Sequence, residues 1–409
     1  MRATHYAILK LNYRLPTNLS IDFPFGWRGT LIIEFGLRNF FSFKEGAVLS
    51  FRFDGNTPEN ISRGQPYATV MGINGANAAG KTQLLKGLNF VNFFAARSFA
   101  WKPNALLPLE PFGNGKDASE FYIEFIAGDL IYRYEFEVTE HEVVREALFR
   151  TKSKKTLLFE RKKNTVVKSV KELEAISSLT LRSNVSLIAT VNQYQLPLLE
   201  DVFDVLNQIQ TNVAYSGLHD PLMDINATAK LLNEAPYALA FVENFIRNCD
   251  TGVSKIVIKH REGGNNEKIF FPVFLHQIDN EDYAVSALGE SSGTKRLFQT
   301  LPDYALALMT GGVLVVDELD IHLHPHILPN LLALFTDPAM NPRHAQLIFT
   351  SHNVKIMDAL GKYRSCVVAK KDNESFVFRL DEVPGDMLRN DRSIANVYDD
   401  GKIGGVPRL

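Results

Sequence analysis

Cysteine is scarce in this chain of 409 residues. Cys249 and Cys366 are the only two, far apart in sequence. No zinc spacing or disulfide framework can be built from them, so a reducing, intracellular setting is expected. No apolar run reaches about 18 residues, which excludes a helical membrane span. The opening MRATHYAILKLNYRLPTNLS lacks the apolar core of a secretory leader, and a cytoplasmic location is the expectation. Internal repeats and low-complexity tracts are missing. Sustained a/d heptads are missing too, so long coiled-coil arms that bridge DNA over distance are excluded. Excess charge of either sign is also lacking, the formal net charge being −2. That excludes a surface that coats nucleic acid as a whole. Two basic clusters remain, Lys152–Lys154–Lys155 and Arg161 to Lys163. Each reads as solvated hairpin charge or as a local contact with DNA or RNA.

What is present is an ordinary globular balance, 45% hydrophobic and 22% charged, enough for a sizeable core. Pro16 and Pro24 break any long element near the start, and residues 1–29 read as an extension of uncertain order. From Thr30 the pattern sharpens. LIIEFGLRNFFSFKEGAVLSFRF (31–53) is strand-like with an interruption near Asn39, and YATVMGI (67–73) is a further strand. TQLLKGLNFVNFFAARSF (82–99) has helical spacing. Residues 119–161 alternate apolar and polar as an antiparallel meander, with a turn at Ala127–Gly128–Asp129. Helical periods follow over 169–249. VSKIVIKH and KIFFPVFLH return to strand. TKRLFQTLPDYALALM (294–309) is a helix that Pro302 should kink or restart. VLVVDE and AQLIFTSH are buried strands, and SCVVAKK with SFVFRL forms a closing hairpin. The expected fold is α/β, a mixed sheet with flanking helices plus the meander. Its head spans 30–168 and 250–409, and 169–249 is a short helical insertion lobe.

Chemistry concentrates in four places. GANAAGKT (75–82) fits G-x-x-x-x-G-K-[ST] in full and stands between a strand and a helix, as a phosphate-cradling loop must. Gly75, Asn77, Ala78, Ala79, Gly80 and Lys81 would wrap the phosphates with backbone N–H groups and an ammonium. Thr82 would offer its hydroxyl to Mg²⁺. GGVLVVDELD (311–320) delivers two carboxylates from a dry strand. Asp317 would take the metal and Glu318 would polarise the attacking water. These two stretches predict a Mg²⁺-dependent nucleotide hydrolase. In ALGESSGTKRL (287–297), Ser291, Ser292 and Gly293 open a helix, an arrangement that suits an anion and equally suits plain helix capping. LIFTSHN (347–353) ends a buried strand at His352, a structural histidine or a γ-phosphate contact.

Order and spacing carry a resemblance. The chain is similar to ABC-type ATPases of the SMC/RecF-like branch. It resembles more closely a prokaryotic family of abortive-infection (AbiL- and Rlo-type) ATP-binding proteins. LRNFFSFK (37–44), GANAAGKT, ESSGTKRLF (290–298), DELDIHLHP (317–325), TSHN (350–353) and the closing GKIGGVPRL (401–409) carry it, over about residues 30–409. Transporter subunits place their signature at roughly half the separation between Lys81 and Ser291. The resemblance makes Ser291–Gly293 the signature motif, although Glu290, Ser292 and Thr294 depart from L-S-G-G-Q. It makes Asp320 the D-loop residue and His352 the switch histidine. Gln193 becomes a metal-reporting glutamine, with Gln195 an equal rival and a polar helix start a third reading. ATP is implied over GTP, no N-K-x-D motif being in place. Also implied is a homodimer in which the P-loop of one subunit and the Ser291 turn of another sandwich ATP. Too little chain follows His352 for a Toprim nuclease, so a separate effector, nuclease or toxin, is expected. The reading that follows is an ATP-gated sensor or scaffold in anti-phage defence. The alternative is a RecF-like DNA-repair ATPase.

Overall fold

The computed structural model describes residues 30–197, 199–218, 224–264, 267–321, 323, 325–384, 386–388 and 392–405. The extension expected over 1–29 lies outside the described residues. The chain forms two compact units, one built from 30–218, 306–335 and 343–405 and the other from 224–305 and 336–342. Among the described residues no helix is long and apolar enough to cross a membrane.

The larger unit stacks two sheets around one core. Its central sheet runs β18–β17–β3–β16–β15–β9. Those strands are β3 (Val70–Asn74), β9 (Ile209–Thr211), β15 (Val313–Val316), β16 (Gln346–Thr350), β17 (Ser365–Lys371) and β18 (Glu374–Arg379). All neighbours are parallel except the β17–β18 hairpin. β3 and β16 are buried at every position, which is why they read as continuous apolar runs. The second sheet is an antiparallel meander, β2–β1–β4–β5–β6–β7–β8. It comprises β1 (Leu31–Arg38), β2 (Ala47–Ser50), β4 (Ser119–Ala127), β5 (Leu130–Val138), β6 (Val143–Thr151), β7 (Lys155–Lys162) and β8 (Thr165–Ser169). β4 alternates buried and half-buried residues without a break, as one core-facing side requires. A two-stranded ribbon, β10 (Val213–Ala214) with β11 (Gly217–Leu218), completes this unit.

Helix Lys81–Asn92 is packed in the same core as both sheets. Leu84, Leu85, Leu88 and Val91 are buried there with Phe35, Phe121 and Phe136. Each is worth roughly 1.5–3 kcal/mol, which outweighs the cost of about 1 kcal/mol for Gly87 inside a helix. Gly87 has a packing reason, since an added Cβ would lie 2.4 Å from Leu37 Cδ2. The expected helix over 82–99 ends early, giving way to a π-helical turn at Phe93–Arg97.

Three expectations are corrected, and one choice between alternatives is decided. Residues 169–249 are not one helical lobe. Residues 171–178, helix Leu187–Gln193 and helix Glu200–Asn207 bury Leu173, Ile176, Ile188, Val202 and Leu206 in the core of the larger unit, and β9 extends the central sheet beside β15. Residues 250–305 leave the expected head. The smaller unit joins helices Ile225–Glu234 and Pro236–Arg247 to an antiparallel sheet, β12 (Val253–Glu262), β13 (Lys268–Ile278) and β14 (Glu281–Ser286). Helical period alone could not show that strand pairing would divide the segment. Arg161, read as solvated charge or a nucleic-acid contact, is fully buried. It bonds Glu146 at 3.1 Å and donates to the carbonyls of Arg182 and Val185, tying the meander to the chain before helix Leu187–Gln193. Finally, of the kink or restart expected at Pro302, the restart does not occur, and one helix spans Ser292–Thr310. A proline removes one backbone bond, and the turns on either side remain helical.

Candidate functional site

β3 ends at Asn74, and the chain turns through Gly75 (φ +153°), Ala78 (φ +59°) and Gly80 (φ +116°) into helix Lys81–Asn92. Both glycines are required. A Cβ at Gly75 would lie 2.2 Å from the Val368 carbonyl oxygen, and one at Gly80 would lie 2.8 Å from Ser375 Oγ. Such turns direct successive N–H groups inward and form a ready anion cradle. Lys81 is buried, its Nζ donating to the Gly75 and Ala76 carbonyls at 2.8 and 3.1 Å. Burial lowers its pKa, while Asp317, Glu318 and Asp320 oppose that shift.

The loop is braced from outside. After β1, Asn39 and Phe41 take positive φ, so LRNFFSFK reverses and brings Ser42 to Gln83. The Ser42 N–H and hydroxyl both donate to Gln83 Oε1. Ser42 Oγ lies 2.6 Å from Ser375 Oγ, and Ser375 donates to the Ala79 carbonyl.

β15 delivers Asp317, 1% exposed, to the same place. Thr82 Oγ1 donates to Asp317 Oδ2 at 2.8 Å, and Thr350 donates to Asp317 Oδ1. Asn212 grips the backbone of Asp317, its Oδ1 accepting from the Asp317 N–H at 2.7 Å and its Nδ2 donating to the carbonyl at 3.1 Å. Glu318 sits at φ +54°, its N–H bonded to Thr350 Oγ1 at 2.8 Å. His352 Nε2 is 3.7 Å from Glu318 Oε1, and its N–H donates to Asp320 Oδ1 at 3.2 Å. The chain thus brings Asn77 to Thr82, Asp317, Glu318 and His352 around one cleft of about 650 Å³, together with Gln83 and Lys370. That volume suits a nucleotide. A groove of similar size lies over β1, β4 and β5. Its Arg38 and Arg133 are spent on Glu120 and Glu135.

The donor set fits Mg²⁺, which favours hard oxygen ligands and retains waters. Thr82 and Asp317 already present two oxygens within hydrogen-bond distance of each other. Among the described residues no cluster of three His, Cys, Asp or Glu stands ready to hold a metal, so phosphate oxygens and waters would complete the shell.

Gln193 does not join this set. It ends helix Leu187–Gln193 in an exposed position and does not line the cleft. Gln195 is exposed as well. Asn212, at the end of β9, stands beside Asp317 instead. Sequence reading missed it because three strand residues left no periodic signal. The available clue was position, since ligands gather at the carboxyl ends of parallel strands. Thr350 was hidden in TSHN beside the more conspicuous histidine.

Ser291, Ser292 and Gly293 belong to the smaller unit. Ser291 Oγ caps helix Ser292–Thr310, accepting from the Thr294 N–H at 3.0 Å, and lies 2.8 Å from Thr294 Oγ1. Glu290, which departs from the signature leucine, accepts from the Ser291 N–H at 2.8 Å through Oε1 and pairs with His276 Nε2 at 2.8 Å through Oε2. Ser291 and Ser292 are exposed.

Residues 70–358 match the family described as "AAA domain, putative AbiEii toxin, Type IV TA system". No curated protein matches the sequence. Among solved structures the chain is similar to an Smc head bound to the C-winged helix domain of ScpA, at 12% identity and a TM-score of 0.49, over 85% of this chain and 97% of that one. It is also similar to a Pyrococcus furiosus Smc head with an extended coiled coil, bound to the C-terminal domain of ScpA. There the identity is 13% and the TM-score 0.43, over 86% and 97% of the two chains. A Pyrococcus yayanosii Smc head with a coiled coil and joint gives 11% and 0.44, over 91% and 100%. With its phosphate loop, its Asp317 strand and a match running from β3 past His352, this chain belongs to that AAA-domain family and carries its phosphate loop on a mixed α/β fold.

Proposed function

We propose that the chain binds and hydrolyses ATP with Mg²⁺, and that two copies pair around the nucleotide. The observation that carries this reading is the Thr82–Asp317 hydrogen bond. It joins the phosphate loop to the acidic strand as a Mg²⁺–nucleotide site requires. Thr82 and Asp317 would hold Mg²⁺, which would supply charge neutralisation at the phosphate oxygens. Lys81 and the loop amides hold the β- and γ-phosphates. Glu318 accepts the proton of the water that attacks the γ-phosphorus, ADP departs, and His352, beside Glu318, steadies the γ-phosphate. Ser291 to Gly293 of a second copy, with Asp320 beside the shared nucleotide, close the site.

In the cell the protein is read as a cytoplasmic, ATP-gated sensor or regulator in abortive infection, of the AbiL/Rlo type. It acts through a separate effector, a nuclease or toxin. The family description, which names a toxin of a toxin–antitoxin system, supports defence. The test is Glu318→Gln. Hydrolysis should fall by roughly 10²–10⁴-fold, and light scattering should show the mass double with ATP. A variant that turns over at the parental rate, or stays monomeric with ATP, defeats the reading. Capture with ATP-locked Glu318→Gln should then retrieve the effector.

A further inference from the structure

One cation in the cleft belongs to none of the motifs. Lys370 lines it together with Glu318, His352 and the phosphate loop, and backbone register explains why. β17 runs parallel to β3 with Cys366 opposite Ile73 and Val367 opposite Asn74. The next residues of β17 therefore continue alongside the loop, as the close approach of Val368 to Gly75 shows. Side chains alternate along a strand, so Lys370 shares a face with Cys366 and Val368, both in the core. Its cross-strand partner is Ser375. Directly opposed residues point to the same face, and the Ser375 hydroxyl bonds the Ala79 carbonyl. Lys370 is thus aimed at the loop by two independent relations. Lys371 faces the other way, opposite Glu374.

The two cleft lysines are differently employed. Lys81 is buried and holds loop carbonyls. Lys370 is exposed and, among the described residues, carries no ion pair. Its neighbours Asp317 and Glu318 are acidic, and a triphosphate brings several more negative charges to the same space. A free ammonium on the Glu318–His352 side is the group available to meet the terminal one.

Resting on the nucleotide reading above, we propose that Lys370 is a further nucleotide-contacting residue that pairs with the γ-phosphate from within the same subunit. The test compares binding of a non-hydrolysable ATP analogue and of ADP, each with Mg²⁺. Lys370→Ala should weaken the analogue about 10-fold and ADP less than about 2-fold. Lys370→Arg should retain most of the affinity, and Lys371→Ala should leave both ligands unchanged. The inference is overturned if Lys370→Ala weakens both ligands equally or neither, or if Lys371→Ala has the same effect as Lys370→Ala. Lys81→Ala separates the two failures. If nucleotide binding survives that change, the nucleotide reading itself is wrong. If it is lost while Lys370→Ala binds normally, only the role of Lys370 falls.

Discussion

The phosphate loop and the Ser291 turn are both helix starts, and both are suited to an anion, but they are built in opposite ways. Around the loop the side chains of Asp317 and Lys81 are engaged before any ligand arrives. Asp317 is buried among Thr82, Thr350 and Asn212, and Lys81 is held on its own carbonyls. The Ser291 turn is exposed, and its hydroxyl is occupied in capping its own helix. A preorganised site binds without first ordering its parts. An exposed capped turn adds little until a surface is brought to it and water is excluded. The contrast teaches that the loop should hold a nucleotide alone, whereas the turn should act only in an assembly.

Lys81→Ala attacks the preorganised half and should have the largest effect. It removes a charged donor to the phosphates, worth roughly 3 kcal/mol or about 100-fold in nucleotide affinity, as calorimetry would read. The fold should persist, because Lys81 packs against loop carbonyls and not against core side chains. Ser291→Arg attacks the other half. Nucleotide affinity should stay within about 2-fold, while ATP-dependent dimerisation falls by about 10-fold or more through steric bulk and repulsion at the closing surface. If affinity for nucleotide collapses in the monomer, the two regions are not separable and the contrast is broken. Glu290→Leu sharpens it further. This change restores the residue usual in the signature and removes the bond to the Ser291 N–H and the pair with His276. Losing one charged hydrogen bond at a partly buried turn costs about 1–2 kcal/mol, so dimerisation should weaken about 5- to 30-fold at unchanged nucleotide affinity. Undisturbed dimerisation would mean that Glu290 does not hold Ser291 in place.

The same contrast explains what the sequence disclosed. GANAAGKT and VLVVDE were legible because each needs a fixed local context, a glycine at positive φ or a dry strand end, and local rules suffice to predict it. The meander was legible from alternation, and β3, β15 and β16 from unbroken apolar runs. The course of 169–249 was not legible. Its helices have similar periods whether they pack in the large core, as Leu187–Gln193 does, or in the smaller unit, as Pro236–Arg247 does. Arg161 was misread for a related reason, since burial of a charge depends on partners such as Glu146 and the Val185 carbonyl that arrive from other elements. Nothing in SCVVAKK singled out Lys370 until the register of β17 on β3 fixed its face.

The smallest expected effect compares Asn212, which stands beside Asp317, with Gln193, which does not line the cleft. Asn212 makes two bonds to the Asp317 backbone, at the end of an edge strand and beside the Thr82 and Asp317 oxygens that would hold Mg²⁺. Asn212→Ala should leave an Asp317 N–H without its partner, a cost of about 1–3 kcal/mol. Part of that cost should be relieved by water from the cleft. Displacement of Asp317 should lower kcat about 10-fold with KM for ATP within about 2-fold, because the loop that binds the phosphates does not depend on Asn212. Gln193→Ala should change neither constant by more than about 2-fold, since Gln193 is exposed and does not line the cleft. Steady-state kinetics on both variants decide the matter. A large loss with Gln193→Ala and none with Asn212→Ala would return the reporting role to the glutamine. It would also mean that the pairing of β9 with β15 positions nothing the chemistry uses.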